Sequence, residues 1–561
     1  MLQKEGKEVL KMTDKDNAKT YLKAGNDFYE QKKYDKACEE YQKAIEINPQ
    51  YAEAYYRCGL ALNALKKYEE AIERYKKALE IDPNYALAYY KWGDILFYLE
   101  RQEEAVEKYK KAIEINHKYA DAHYSLGFTL YDLNRYEEAI EKYQKAIEID
   151  PNNSFVYNAW GLALYSLKRY EEAIERFKKA TEINHNYASA YDTWGIALYH
   201  LNQYEEATEK HQKAAEIDPK YAYAYYRWGI ALHSLNKYEE AVEKYKNSIE
   251  LDPTNSDAYY NCGLAFNELN RYEEAVEKYK KAIETEPDCA SFYYSCGLAL
   301  YQLKRYKEAI EKYQKSIELD PKHPFIYTCW GIALYNLKNY EEAIEKYKKT
   351  IEMDPNQTHT YYTWGMALDN LKRYEEAIEK YKMATEVNSN YAYAFNNWGA
   401  TLDHLGRYEE AIEKYKMAAE IEPHYAYVYN RWGNDLFNLN RYEEAIEKYQ
   451  EAIKIKPIDP YTYCCLGLTL YKHRRYDEAI EKYKKAIEID PTYSVGAYYN
   501  LACIYSLKDN ESLACEWLKK AIEKGYNNWE HIQKDSDFDK IRNSKCFKKI
   551  IKGRDKGMKA K

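Results

Sequence analysis

The sequence predicts an all-α solenoid of stacked antiparallel helix pairs, and three observations predict it. A glycine recurs every 34 residues, from Gly25, Gly59 and Gly93 through to Gly467, fourteen times without insertion or deletion. Each lies within an apolar helical pattern such as WGIALY, Trp194–Tyr199. An alanine stands twelve residues after every one of these glycines, Ala37 to Ala479, and a tyrosine four further on, with Phe177 and His211 the only departures. Self-similarity at this period marks a repeat array, although 561 residues would otherwise suggest three or four globular domains.

Taken in order, residues 1–17 are polar and are expected to form a frayed leader or a short capping helix. Fourteen repeats then fill residues 18–493. In the seventh, Ala222–Asn255, the residues Tyr225, Trp228, Gly229, Leu232 and Leu235 share one face of a first helix. Asn236-Lys237 is a short turn. Ala241, Val242, Tyr245, Ser248, Ile249 and Leu251 then line a second helix, which Pro253 stops because proline excludes the helical conformation before it. That proline is present in eleven of the fourteen repeats, and His117, His185 and Ser389 replace it without changing the repeat length, so no break is expected there.

A glycine inside a helix costs about 1 kcal/mol against alanine, so fourteen of them need a compensating contact. Close approach of the two axes, glycine on one and alanine on the other, supplies it, and the aromatic fills the space beyond. The second helices carry runs such as Arg271–Glu284, where Glu274–Lys278 and Glu277–Lys281 are expected as pairs on a solvated outer face, about 0.2–0.5 kcal/mol each. After Pro491 the register slips at Val495-Gly496, and residues 494–528 read as a degenerate fifteenth repeat with Ala502 in the glycine position. Trp529, Ile532, Phe538, Ile541, Phe547 and Ile550 space a capping segment over 529–551, of the kind that covers the last face of an array. Residues 552–561 form a basic tail, which reads as a solvated terminus or a contact for an acidic partner.

Composition narrows the function. A net charge of −8 argues against a nucleic-acid binder, which needs a basic face. There is no signal-peptide pattern at the N-terminus and no apolar run long enough to span a membrane. Eleven cysteines at uneven positions, among them Cys58, Cys262 and Cys296 on the core face, read as buried unpaired thiols, so the expected location is cytoplasmic, in a reducing compartment. The 68 tyrosines fit either half-buried rings with wet hydroxyls or a compositional drift shared with Asn, Lys and Ile. No phosphate-binding glycine loop, paired metal ligands or CxxC motif is present, Cys464-Cys465 being adjacent, so neither a cofactor nor a metal is expected and the chain reads as not an enzyme.

An aromatic or leucine before glycine (Trp92-Gly93, Leu126-Gly127, Trp160-Gly161), with Ala, Tyr/Phe, Ala and Pro at set offsets, resembles the tetratricopeptide repeat. The resemblance covers residues 18–493 and implies a right-handed superhelix of about two turns. It also implies that positions 2, 5, 6, 9 and 12 of each repeat line a concave groove for peptide segments, counting Ala18, Ala52, Ala86 and so on as position 1. The family's clamp for chaperone tails ending in EEVD is not supported, because only Asn26 of the first triplet fits its pattern. A polar-aromatic cluster instead stands on the implied groove: Tyr393, Asn396, Asn397, Tyr427, Asn430, Arg431 and Asn434. Asparagine offers donors and an acceptor and so can grip a peptide backbone, although its recurrence at position 6, in Asn261, Asn397 and Asn500, is fragmentary. A second patch, Lys19, Lys23, Arg57 and Lys91, suits an acidic peptide.

The expected function is a scaffold or adaptor that binds segments of partner proteins. The alternatives are a self-assembling structural solenoid, which implies a homo-oligomer, and a non-catalytic subunit that brings substrates to a separate enzyme.

Overall fold

The computed structural model describes the backbone of residues 2–557 and the side-chain surroundings of residues 16–552. The described residues are helical throughout, with no strand. Along residues 2–285, and again along residues 290–523, helices pair in sequence order, each first helix packing on its own second helix and that on the next first helix. The chain divides into two compact halves, Met1–Pro287 and Asp288–Lys561.

The seventh repeat shows why these residues make this pair. Its helices are Ala222–Ser234 and Tyr238–Leu251. Asn236 turns the chain between them in the left-handed region, at φ 58°. Asn236 N–H donates to His233 O at 2.9 Å and Lys237 N–H to Leu232 O at 3.0 Å, which satisfies carbonyls that the helix end would leave open. The same turn recurs along the array, on Lys66, Lys304 or Asn440, and on Gly406, the one repeat with a glycine there.

The close approach differs from the expected glycine–alanine contact. A Cβ built on Gly229 would stand 2.6 Å from Cε1 of Tyr245, and the other thirteen repeat glycines likewise face the ring sixteen residues later, His211 and Phe177 included. The aromatic therefore lies on the bare glycine, while alanine such as Ala241, fully buried, seals the flank.

Helix ends also have a cause beyond proline. The helices Gln102–Ile115, Tyr170–Ile183 and Tyr374–Val387 lack the closing proline yet stop at the usual place. In each an asparagine follows, and its side chain accepts from the backbone two residues on: Lys118 N–H to Asn116 at 3.1 Å, Asn186 to Asn184 at 3.0 Å, Asn390 to Asn388 at 3.0 Å. Such side-chain turns compete with helix continuation.

The outer face is less uniformly solvated than expected. Arg271 takes Glu274 at 2.6 Å, Lys278 lies 3.0 Å from Glu277, and Lys281 pairs with Glu284 at 2.6 Å, in place of the anticipated Glu274–Lys278 and Glu277–Lys281 pairs. Wherever tryptophan precedes the repeat glycine, a cation of the second helix covers its ring, as Lys244 does Trp228 at 4.3 Å and Arg176 does Trp160 at 4.2 Å.

At the N-terminal end one helix, Leu2–Glu30, runs from the leader into the first repeat without a break. At the other end, Val495–Leu507 pairs with Glu511–Glu523, followed by Trp529–Lys534, a 3-10 turn at Ser536–Phe538 and Lys545–Gly557. Ile532, Phe538, Ile541, Phe547 and Ile550 are buried in this terminal cluster. Cys515 and Cys546 form a disulfide within it, so the reading of every cysteine as an unpaired thiol fails at these two. The side chains of the basic tail lie outside the described residues, apart from Lys552.

The ring-on-glycine contact makes a direct prediction. Gly229→Ala should gain about 1 kcal/mol of helix propensity but lose about 1–3 kcal/mol to overpacking, a net loss read from the urea midpoint. Adding Tyr245→Leu should make the double variant more stable than the sum of the singles. Strict additivity would show that the ring is not what excludes the methyl group.

Candidate functional site

The predicted polar-aromatic cluster falls on two neighbouring first helices, Ala392–His404 and Ala426–Asn438. Four of its residues, Tyr427, Asn430, Arg431 and Asn434, line a cavity of about 360 Å3 together with Tyr461 of the next first helix, Pro460–Lys472. Positions 2, 6 and 9 come together there because they recur on one side of a 3.6-residue helix. The Arg431 guanidinium lies 4.8 Å from the Tyr427 ring centre and donates from Nη2 to the Tyr427 hydroxyl at 2.6 Å. Asn434 is held from both sides: its Oδ1 accepts from Tyr449 Oη at 2.8 Å, and its Nδ2 donates to Tyr461 Oη at 2.8 Å. The Tyr427 ring stays 49% exposed and the Tyr461 ring 37%, so both present apolar surface to solvent.

The asparagines at position 5 behave differently. Asn396 and Asn430 are buried, at 2% and 6% exposure. Asn430 Oδ1 accepts from Thr462 Oγ1 of the next repeat at 2.9 Å, and Asn396 Nδ2 donates to Asn397 Oδ1 at 3.0 Å. Asn397 in turn donates to Tyr362 Oη at 3.2 Å. Asn430 and Asn397 thus spend hydrogen bonds on the interface between repeats, and Asn396 supports Asn397 within its own helix. Tyr393, 46% exposed, joins the two parts of the cluster through Tyr425, whose ring centre is 5.4 Å away and 6.3 Å from that of Tyr427.

The second predicted patch is partly neutralised. Lys91 pairs with Asp94 at 2.8 Å, Arg57 with Glu53 at 3.5 Å and Lys19 with Asp16 at 3.8 Å. Lys23 is exposed. The charges of Arg57 and Lys91 both act on the Tyr56 hydroxyl.

Two buried acids went unassigned in the sequence. Asp435 is fully buried at position 10, where neighbours carry alanine or threonine such as Ala367, Thr401 and Thr469, and that contrast was the available signal. Neither carboxyl oxygen accepts a hydrogen bond among the described residues. Burial, and the nearby Asp403 carboxylate, push this carboxyl up to about 8, against a weaker pull from Arg431. At neutral pH Asp435 therefore keeps its proton and does not act as a counterion to Arg431.

The other acid, Asp192, explains why His211 replaces the repeat's tyrosine. Asp192 is fully buried, accepts from His211 Nδ1 at 2.8 Å and from Tyr221 Oη at 3.0 Å, and contacts Arg227 Nη1. Burial works to raise this carboxyl, but His211, Arg227 and Tyr221 together hold it below the usual carboxylate range. His211 and Arg227 also border a small cavity of about 160 Å3 with Ile196, Tyr199, Tyr226 and Ile230.

Because the native chain holds the Asp435 proton to a higher pH than the unfolded chain does, stability falls as pH rises, from about 4 until it levels off above about 8. Asp435→Asn should remove this slope and raise the urea midpoint most at pH 9. An unchanged pH profile would show that Asp435 does not carry it.

A family model described as TPR repeat matches residues 25–65, 59–97, 93–134, 161–199, 195–236, 229–269, 263–304, 297–338 and 433–473. Models described as tetratricopeptide repeat match 120–153 and 460–493, 324–357 and 392–425, 142–175 and 482–516, and 358–391. No curated protein sequence matches the chain. Among solved structures, YrrB, described as a TPR protein with an unusual peptide-binding site, is 29% identical over 35% of this chain and 97% of its own, with a TM-score of 0.31. MamA of Desulfovibrio magneticus RS-1, from residue 41 to its end, is 25% identical over 30% of this chain and 96% of its own, with a TM-score of 0.29. The Cut9–Hcn1 hetero-tetramer of the APC/C gives 15% identity over 89% of this chain and 95% of its own, with a TM-score of 0.34. No catalytic family is indicated, and the models for one repeat type succeed one another along most of the sequence. This chain belongs to the tetratricopeptide repeat family.

Proposed function

We propose that the chain is a scaffold that captures extended peptide segments of partner proteins on the face built from its first helices. The cavity between Ala426–Asn438 and Pro460–Lys472 anchors the segment. The observation that carries this reading is the composition of that cavity: two exposed tyrosine rings, an amide and a guanidinium converge on about 360 Å3, the space of one or two side chains. Exposed aromatics with a few aimed polar groups are what a peptide anchor needs, because the rings supply area and the polar groups supply orientation. With Asp435 neutral, Arg431 leaves the cavity positive, which favours a segment that presents a carboxylate beside an apolar side chain.

Affinity selection of a random peptide library on the full chain tests this. Selected peptides should be enriched in Asp, Glu or a free C-terminus next to an apolar residue. Measured by fluorescence anisotropy, Arg431→Ala with Asn434→Ala should weaken them on the order of tenfold or more, with unchanged circular dichroism. Equal affinity for wild type and the double variant would remove the cavity from the binding surface.

A further inference from the structure

We propose that the C-terminal cap contains a site for a divalent transition metal, of the zinc class, ligated by Cys503, Asp535 and Asp537. These residues come from three places in the fold. Cys503 lies within the helix Val495–Leu507, Asp535 follows the helix Trp529–Lys534, and Asp537 sits in the 3-10 turn Ser536–Phe538. The sulfur and one carboxylate oxygen of each aspartate lie within 4.8 Å of one another. The Cys503 thiol is 2% exposed, so the cluster is sheltered on one side by the helix pair and reached from the other past the half-buried carboxylates.

The distances suit a metal. In a tetrahedral site with zinc–sulfur near 2.3 Å and zinc–oxygen near 2.1 Å, sulfur and oxygen stand ~3.6 Å apart. Cys503 Sγ and Asp535 Oδ2 are 3.7 Å apart, bridged by the thiol proton. A cation entering here takes the proton's place: one sulfur–metal bond forms, the S–H bond breaks, and the proton leaves to solvent, with no change of oxidation state. The carboxylates are already aimed. Tyr499 Oη donates to Asp535 Oδ2 at 2.6 Å, the Asp537 N–H donates to Asp535 Oδ1 at 3.0 Å, and Tyr471 Oη contacts Asp537 Oδ2. Arg542 Nη2 fixes the loop by donating to Asp535 O at 2.7 Å. Each carboxylate oxygen has two acceptor positions, so these bonds orient the ligands and still leave lone pairs for a metal.

Ligand chemistry sets the class of ion. A buried thiolate disfavours calcium and magnesium, while carboxylates beside it suit zinc or cobalt(II). The fourth position falls to water. The ion would tie the last helix pair to the segment that covers it, because the ligands lie on both.

Titration of the full-length chain with cobalt(II) tests the site. One equivalent should bind with a thiolate-to-cobalt charge-transfer band and tetrahedral visible bands, and zinc should displace it. Cys503→Ser should abolish the charge-transfer band even though other thiols remain. Asp537→Asn, which keeps the thiol, should retain the band but weaken affinity at least tenfold. Zinc should also slow amide exchange across residues 529–551 in the wild type and not in Cys503→Ser. No band in the wild type, or a band of full intensity in Cys503→Ser with unchanged circular dichroism, would overturn the proposal.

Discussion

The structure depends on one contact, the aromatic ring of each second helix lying on the bare glycine of the first. The contact does more than close the pair. With its ring on the glycine, the tyrosine sends its hydroxyl under the ninth position of the repeat, one turn further along the face that positions 2 and 6 share. Where that ninth residue is polar, the hydroxyl holds it: Tyr41 donates to Asn26 at 2.9 Å, Tyr109 to Asp94 at 3.0 Å, and Tyr449 to Asn434 at 2.8 Å. Where it is apolar, as above Tyr75, Tyr143, Tyr245 and Tyr313, the hydroxyl is buried without a hydrogen bond. Leaving a donor unsatisfied costs about 1–3 kcal/mol, so the array accepts that cost repeatedly and recovers it where the ninth residue is Asn or Asp. Core and first-helix face are therefore coupled. Asn434 points its amide at the cavity because a core tyrosine has taken its carbonyl.

The same coupling explains the departures from the repeat. His211 has the ring needed to cover Gly195, but its nitrogen reaches Asp192, which a tyrosine or phenylalanine ring would leave buried and charged. The substitutions at positions 5 and 24 of one repeat and position 6 of the next form a single unit of charge. Removing one member would leave the buried Asp192 carboxylate under-compensated.

The repeating part of the fold was legible because its causes lie within one repeat. Gly229, Ala241, Tyr245 and Pro253 each act on neighbours within 34 residues, and their periodicity shows through composition. What stayed hidden acts between repeats. Asn396 and Asn430 read as groove residues from their position number, yet both are buried, Asn430 bonded to Thr462 of the next first helix and Asn396 to its neighbour Asn397. Tyr461, which completes the cavity, lies one repeat beyond the cluster picked out from sequence. The tryptophan–lysine contacts were hidden for another reason. A lysine in a charged run looks solvated, and only the packed pair shows its stem lying along an indole. The disulfide between Cys515 and Cys546 lies where the repeat period ends, so no pattern could point to it.

The buried and half-buried acids show how function separates from framework in an array of identical frames. Asp192 is surrounded by donors and ionised, which locks two repeats together and leaves little for a ligand. Asp435 is buried beside Asp403 and keeps its proton, so it does not neutralise the neighbouring Arg431. Asp535 and Asp537 lie between: tyrosine hydroxyls and a backbone N–H hold them, beside the buried Cys503 thiol, which donates to Asp535 Oδ2. Fully compensated charge stabilises, and incompletely compensated charge attracts a partner. By that criterion the last three repeats and the cap that closes them hold the acids with the least compensated surroundings.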